Sequence, residues 1–325
     1  MKITVIGAGA WGTALARLLR EGNDVVLWGH DAAALEEIRR ARCNARLLPG
    51  ITLPEELKLE ADLRRAISGA ECVVVAVPSK AFREVTRCLR DFAGQIVSVT
   101  KGIEYDTGLT MCGILAENAP KTRCAALSGP SFAIEVARGV PTAIVAASRD
   151  LATAAQVQAL LHRPYFRVYT STDVLGVELG GALKNVIAIA AGVGDGLGLG
   201  DNAKAALVTR AIVEIRRLGI ACGAQVDTFT GLSGLGDLMA TCFSRHSRNR
   251  AFGERVGKGE RPADIAASMP SVAEGYPTAR SSYRLAQSHK IVTPVIAEVY
   301  AMLYEGKDIK QAVRDLMTRD LKPED

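Results

Sequence analysis

The first fifteen residues constrain this chain most. A short strand-like run at 2–6 (KITVI) leads straight into Gly7-Ala8-Gly9-Ala10-Trp11-Gly12, and helix-period residues follow from Thr13-Ala14-Leu15. A bare GxGxxG says little, but set between a strand and a helix it specifies a βαβ unit that receives a dinucleotide. Gly7 makes the tight turn, Gly9 lets backbone approach a pyrophosphate, and Gly12 lets the helix pack against the strand. The helix N-terminus adds N–H groups and a positive dipole end. A carboxylate about 20 residues further on would bind the ribose 2′-OH of NAD. Here the second strand ends in Trp28-Gly29-His30, and the acid, Asp31, comes just after. That arrangement tolerates a 2′-phosphate, which His30 can contact, so NADP(H) is expected and NAD(H) stays open. Asp31 reads equally well as the N-cap of a helix over 32–41.

The remaining pattern extends this start into an α/β domain. Strand runs at 24–28, 72–77, 95–99, 123–127, 142–147 and 166–170 alternate with helical stretches such as 12–21, 32–41, 79–92 and 109–118. Their continuous apolar character means burial on both faces, the mark of a parallel sheet covered by helices. After about residue 172 strand signals almost cease. Helices read at 173–194, 201–219, 235–243, 248–257, 277–288, 294–305 and 309–317. The expected architecture is an N-terminal Rossmann-like, doubly wound, mostly parallel sheet over 1–172, then an all-helical substrate-binding and catalytic domain over 173–325.

Composition narrows the function. Forty Lys and Arg against 35 Asp and Glu give a net charge of +5, too even to argue for nucleic acid. Seven cysteines without a CxxC pair argue against a disulfide framework or a zinc site, so no metal is expected and a reducing cytoplasm fits. No apolar run approaches a membrane span of ~20 residues, and the start carries no signal-peptide pattern.

Candidate chemistry sits at strand ends and on the helices. Three strands run into Pro78-Ser79-Lys80, Thr100-Lys101-Gly102 and Ser128-Gly129-Pro130-Ser131. In a parallel sheet these loops share the cofactor rim. Lys101 then faces the nicotinamide end, unless it is a solvated surface lysine. Gly129 and Ser131 offer close backbone and a hydroxyl. Lys184 stands alone in a largely apolar helix, sharing a face with Gly180, Gly181, Ala188 and Ala191. Small neighbours leave room for a second helix or a substrate, and the water they exclude lowers the lysine pKa into the range of a general acid or base. The competing reading is a lysine that snorkels to solvent. Asp237 follows a glycine-rich loop, where it orients Lys184 or serves as a first-turn acid. Arg248, flanked by Ser247 and Asn249, is either a phosphate site or a solvated basic face. Glu274 either reaches the cofactor or is an exposed loop acid.

The chain as a whole resembles the NAD(P)-dependent glycerol-3-phosphate dehydrogenases of bacterial type. The resemblance runs through GAGAWGTALA (7–16), VTKGIE (99–104), LSGPSFAIEVARG (127–139), ELGGALKNVIAIAAG (178–192), GDNAKAAL (200–207), GLSGLGDLMATC (231–242), SRNRAFG (247–253) and AEGYPTA (273–279). It implies reversible reduction of dihydroxyacetone phosphate to sn-glycerol 3-phosphate, which feeds glycerophospholipid synthesis. It gives Lys184 the proton transfer, with Asp237 beside it. It implies substrate contacts at Lys101, Gly129, Ser131, Lys184, Asp237, Ser247, Arg248 and Asn249. Cofactor contacts are implied at Trp11, His30, Lys101, Ala133, Arg248, Val272 and Glu274, beside Gly7, Gly9 and Gly12. Two alternatives remain: a dehydrogenase of 3-hydroxyacids such as 6-phosphogluconate, and a non-catalytic dinucleotide sensor. A homodimer is the base-rate expectation.

Overall fold

The computed structural model describes residues 1–269 and 271–321; the charged end of the 173–325 span lies outside the described residues. The first half alternates β1 (Lys2–Ile6), α1 (Ala10–Arg20), β2 (Asp24–Trp28), α2 (Ala32–Ala41), β3 (Lys58–Glu60), α3 (Leu63–Ile67), β4 (Cys72–Val75), α4 (Ser79–Thr86) and β5 (Gln95–Ser98). It continues through α5 (Met111–Asn118), β6 (Arg123–Ser128), α6 (Ala133–Ala137), β7 (Thr142–Ala147), α7 (Leu151–Leu161) and β8 (Phe166–Ser171). The rest is helical: α8 (Val174–Gly196), α9 (Gly200–Ala221), α10 (Asp237–Phe243), α11 (Arg248–Gly257), α12 (Pro262–Ser268), α13 (Gly275–Ser288), α14 (Pro294–Tyr304) and α15 (Ile309–Met317). A π-helical turn over Leu232–Gly236 leads into α10.

The strands form one sheet in the order β3-β2-β1-β4-β5-β6-β7-β8. Successive side chains leave a strand on opposite faces, and here both faces are covered. Cys72 and Val74 join α1 and α7 on one side, while Val73 and Val75 meet Phe82, Met111, Ile114 and Leu115 on the other. That is why the strands read as continuous apolar runs. The order reverses between β1 and β4, so the Gly7 turn stands at a topological switch point, where α/β sheets bind ligands.

Two features depart from the expected pattern. β3, only three residues (KLE) and partly exposed at the sheet edge, is too short and polar to show a strand period. β7 runs antiparallel to β6, and β8 is parallel to β7. The 129–141 connection holds only the five-residue α6, and the chain turns back beside β6 rather than crossing over. The strand ends that carry Ser79, Lys101 and Gly129 all belong to the parallel portion.

α8 organises the helical half. By length and composition it could cross a membrane, unlike the apolar runs anticipated from the sequence, yet 83% of its most apolar window is buried inside the fold. It packs against α9, α10, α11, α13 and β6. α11 lies close along it because Gly253 has no side chain; a Cβ there would fall onto the Ile189 carbonyl.

Candidate active site

One carboxylate gathers the central cations. Asp237, the first residue of α10, is 3% exposed and bridges two lysines. Its Oδ1 lies 2.6 Å from Lys184 Nζ, and its Oδ2 pairs with Lys101 Nζ. Lys184 Nζ also donates to Thr241 Oγ1 at 2.5 Å, and that hydroxyl donates to the Asp237 backbone carbonyl at 2.6 Å. Thr241 lies one turn beyond Asp237 on the same helix face, so α10 presents both to α8. Burial draws the Lys184 ammonium down to about 8; the Asp237 carboxylate opposes this, and the Lys101 charge adds to it. Lys184 is thus a buried, tuned lysine, not a snorkelling one.

Lys101 reaches this cluster from the end of β5 and also donates to the Gly129 carbonyl at 3.3 Å. Ser131 Oγ donates to the same carbonyl at 2.9 Å. Gly129 has φ +142°, and an added Cβ would sit 3.1 Å from the Ile144 Cα, so the turn requires glycine. Beside it, the buried Ser128 Oγ has no hydrogen-bond partner.

The second cationic group is at the start of α11. Ser247 caps this helix, its Oγ accepting from Arg250 N at 3.1 Å. Arg248, the first helical residue, is exposed and makes no hydrogen bond or ion pair with the described residues. Asn249 works inward: its Oδ1 accepts from Gly275 N (2.9 Å), and its Nδ2 donates to Asn185 Oδ1 (2.8 Å). Asn249 and Asn185 thereby stitch α11 and α13 to α8 next to Lys184. Phe132 meets His246 at 5.8 Å between ring centres, which brings the Ser131 loop to the Ser247 loop.

The glycines define the dinucleotide side. Gly7 has φ +120°, and a Cβ on Gly12 would fall onto the Gly7 carbonyl. A Cβ on Gly9 would meet nothing within 4 Å, and no side chain caps α1. An open glycine surface at an uncapped helix N-terminus fits a pyrophosphate. Trp11 lies part-buried on α1, Ala133 opens α6, which packs against α1, and His30 is exposed at the end of β2. Asp31 caps α2, its Oδ1 accepting from Ala34 N at 3.1 Å.

Comparison with known proteins decides the family. The model for the NAD-dependent glycerol-3-phosphate dehydrogenase N-terminus matches residues 2–154, and that for the C-terminus matches 173–314. This chain belongs to the glycerol-3-phosphate dehydrogenase family. A glycerol-3-phosphate dehydrogenase (NAD(P)+) of Geobacter sulfurreducens is 51% identical over 99% of this chain and 98% of its own. One from Chlorobium phaeobacteroides is 47% identical over 100% and 99%. A crystal structure of a glycerol-3-phosphate dehydrogenase from Coxiella burnetii superposes with a TM-score of 0.94 at 38% identity, covering 98% of this chain and 99% of that one.

In this family member some site candidates lie apart from the lysine cluster. Val272 is exposed, and Glu274 spends both carboxylate oxygens on Ser79: Oε1 accepts from the backbone N–H at 3.0 Å and Oε2 from the hydroxyl at 2.6 Å. Thr241 and Asn185 escaped the sequence reading. The (i, i+4) spacing of Asp237 and Thr241 was a usable signal for the first. Asn185, adjacent to Lys184, had no partner visible in sequence.

Proposed function

We propose that this chain catalyses the reversible NADP(H)- or NAD(H)-dependent reduction of dihydroxyacetone phosphate to sn-glycerol 3-phosphate. Residues 1–172 form the dinucleotide-binding domain and residues 173–325 the helical substrate-binding and catalytic domain, and each contributes side chains to the site. The setting is a cytoplasmic homodimer that feeds glycerophospholipid synthesis. The observation that carries the reading is Lys184: buried, drawn to about 8, and held between Asp237 and Thr241.

The nicotinamide, when bound, supplies the hydride for reduction and accepts it in reverse. The protein handles the proton and the geometry. Lys184 as ammonium donates a hydrogen bond to the ketone oxygen and then its proton to the developing alkoxide. In the oxidation direction the neutral amine takes the proton back. A pKa near 8 leaves both forms accessible close to neutrality. Asp237 and Thr241 fix the direction of Nζ, and Asp237 keeps Lys101 beside it. Lys101, Gly129 and Ser131 line the substrate side of the rim. Arg248, with the Ser247 hydroxyl and the backbone N–H of Asn249, meets the phosphate at the α11 N-terminus, where the free guanidinium and the helix dipole both favour an anion, while the Asn249 side chain holds the turn from within. That grip fixes the carbonyl relative to Lys184. Gly7, Gly9 and Gly12 with Trp11 take the pyrophosphate end; His30 takes the adenosine ribose; Ala133, Val272 and Glu274 complete the cofactor edge.

The test is a paired assay of NADPH and NADH oxidation with dihydroxyacetone phosphate. Turnover that ceases when the ketone lacks its phosphate supports the proposal. No turnover with either cofactor overturns it.

A further inference from the structure

Ser79 has no role in the proposed reaction, yet it makes a bidentate grip that ties the cofactor rim to the turn before α13. It opens α4, so its N–H is among the unpaired donors of a helix start. Glu274, from the helical half, accepts from that N–H at 3.0 Å and from the Ser79 hydroxyl at 2.6 Å. The carboxylate is partly shielded from solvent; burial raises its pKa, the two Ser79 bonds oppose that rise, and Arg248 lies within electrostatic reach. The clasp also bears on the lysine loop. Gly102 has φ +158°, and a Cβ there would lie 2.6 Å from Ser79 Cβ and 3.9 Å from Glu274 Oε2. Lys101, which pairs with Asp237, immediately precedes it. One contact therefore holds three segments in register: the β4–α4 turn, the Lys101 loop and the 272–275 turn.

We propose that Ser79 is a positioning residue, whose N–H and hydroxyl clasp Glu274 and so hold the 272–275 edge and the Lys101 loop where the nicotinamide cofactor binds. This rests on the reading of that edge as cofactor-binding. Ser79 acts through Glu274, and its loss falls on cofactor affinity more than on turnover.

The experiment is a double-mutant cycle read by NADPH titration of intrinsic tryptophan fluorescence, backed by steady-state kinetics. Ser79→Ala removes one hydrogen bond to a charged acceptor and is expected to weaken NADPH binding ~10-fold, with KM rising more than kcat falls. Ser79→Thr keeps the hydroxyl and brings affinity back to within ~3-fold of wild type. In a Glu274→Ala background, Ser79→Ala adds nothing further. Wild-type affinity in Ser79→Ala, or losses that simply add in the double variant, would overturn the proposal. If Ser79→Ala fails to fold, the comparison of Ser79→Thr with Ser79→Cys, whose thiol is a weak donor, decides on the same readout. A protein that binds NADPH but does not turn over dihydroxyacetone phosphate would defeat the proposed activity, and the affinity cycle would still decide the role of Ser79.

Discussion

Replacing Asp237 by asparagine tests the central electrostatics most directly. The variant keeps the size of the side chain and an oxygen near Lys184 but removes the negative charge that Lys101 and Lys184 share. In the wild type burial lowers the Lys184 pKa, Asp237 raises it by charge and by its hydrogen bond, Lys101 lowers it, and Cys242 raises it to a lesser extent. The amide removes the charge that raises it most, so the value must fall. An opposite charge at this distance moves a pKa by about 1–3 units. From about 8, Lys184 in the variant should titrate at roughly 5–7. At pH 7 the protonated fraction then drops from about nine-tenths to about one-tenth for a mid-range shift of two units. Ketone reduction needs the ammonium, so kcat/KM at pH 7 should fall ~10-fold at that shift, and between about 2-fold and about 100-fold across the range of about 1–3 units, and the alkaline limb of its profile should move towards acid by the same interval. Oxidation of glycerol 3-phosphate needs the amine, whose fraction at pH 7 rises as the pKa falls, so its acid limb moves the same way and its rate at pH 7 should not fall on this account. The assay is kcat/KM in both directions between about pH 5.5 and 9.5, a range that brackets both titrations, with a deuterated cofactor confirming that chemistry limits the rate. An alkaline limb that stays in place would refute the reasoning, because either Lys184 does not titrate in the reaction or Asp237 does not tune it.

Other perturbations separate stability from function. Lys184→Met should cost ~10²–10⁴ in turnover without lowering the melting temperature at pH 7. A lysine held at about 8 instead of 10.5 disfavours the fold by roughly 3 kcal/mol. That cost is present in full below pH 8 and is released as pH rises towards 10.5, so the stability advantage of the variant should shrink over that interval; a clear loss of stability at pH 7 would contradict it. Gly9→Ala should unfold in urea like the wild type yet bind NADPH more weakly, because its Cβ meets only open space. Gly12→Ala should lose about 1–3 kcal/mol of stability, because its Cβ falls onto the Gly7 carbonyl; equal unfolding midpoints for the two would refute the assignment. Arg248→Ala should raise KM for dihydroxyacetone phosphate ~10–100-fold with little change in melting temperature, and an unchanged KM would move the phosphate elsewhere.

The parts of the fold that sequence reveals are those governed by local rules. The glycine turn, the apolar strands and the periodic helices each declare themselves within about a dozen residues. β3 does not, because three edge residues can be polar and still pair. The reversal at β7 does not either: an apolar strand buried on both faces has the same composition whichever way it runs. The site divides along the same line. Lys184 and Asp237 stand out because a charge in apolar or glycine-rich surroundings is locally anomalous. Asn185 does not, since its meaning lies in a partner 64 residues away, and Ser79 declares only its place at a strand end, its partner lying 195 residues away.

The small residues around Lys184 show how a correct local signal acquires its cause only in three dimensions. In sequence, Gly180 and Gly181 read as room for a helix or a substrate to approach the amine. In the fold, protein occupies much of that room. A Cβ on Gly180 would lie 2.7 Å from the Ser233 carbonyl, in the π-helical turn that launches Asp237. A Cβ on Gly181 would strike Ser128 Oγ and come within 3.5 Å of the Lys101 side chain. The glycines therefore admit the two elements that carry the partners of Lys184: the turn bearing the carboxylate that raises its pKa and the loop bearing the ammonium that lowers it. The same close approach excludes water, and desolvation is the largest influence on this lysine. Packing and proton affinity are set by one arrangement, and a side chain at either glycine would disturb both together.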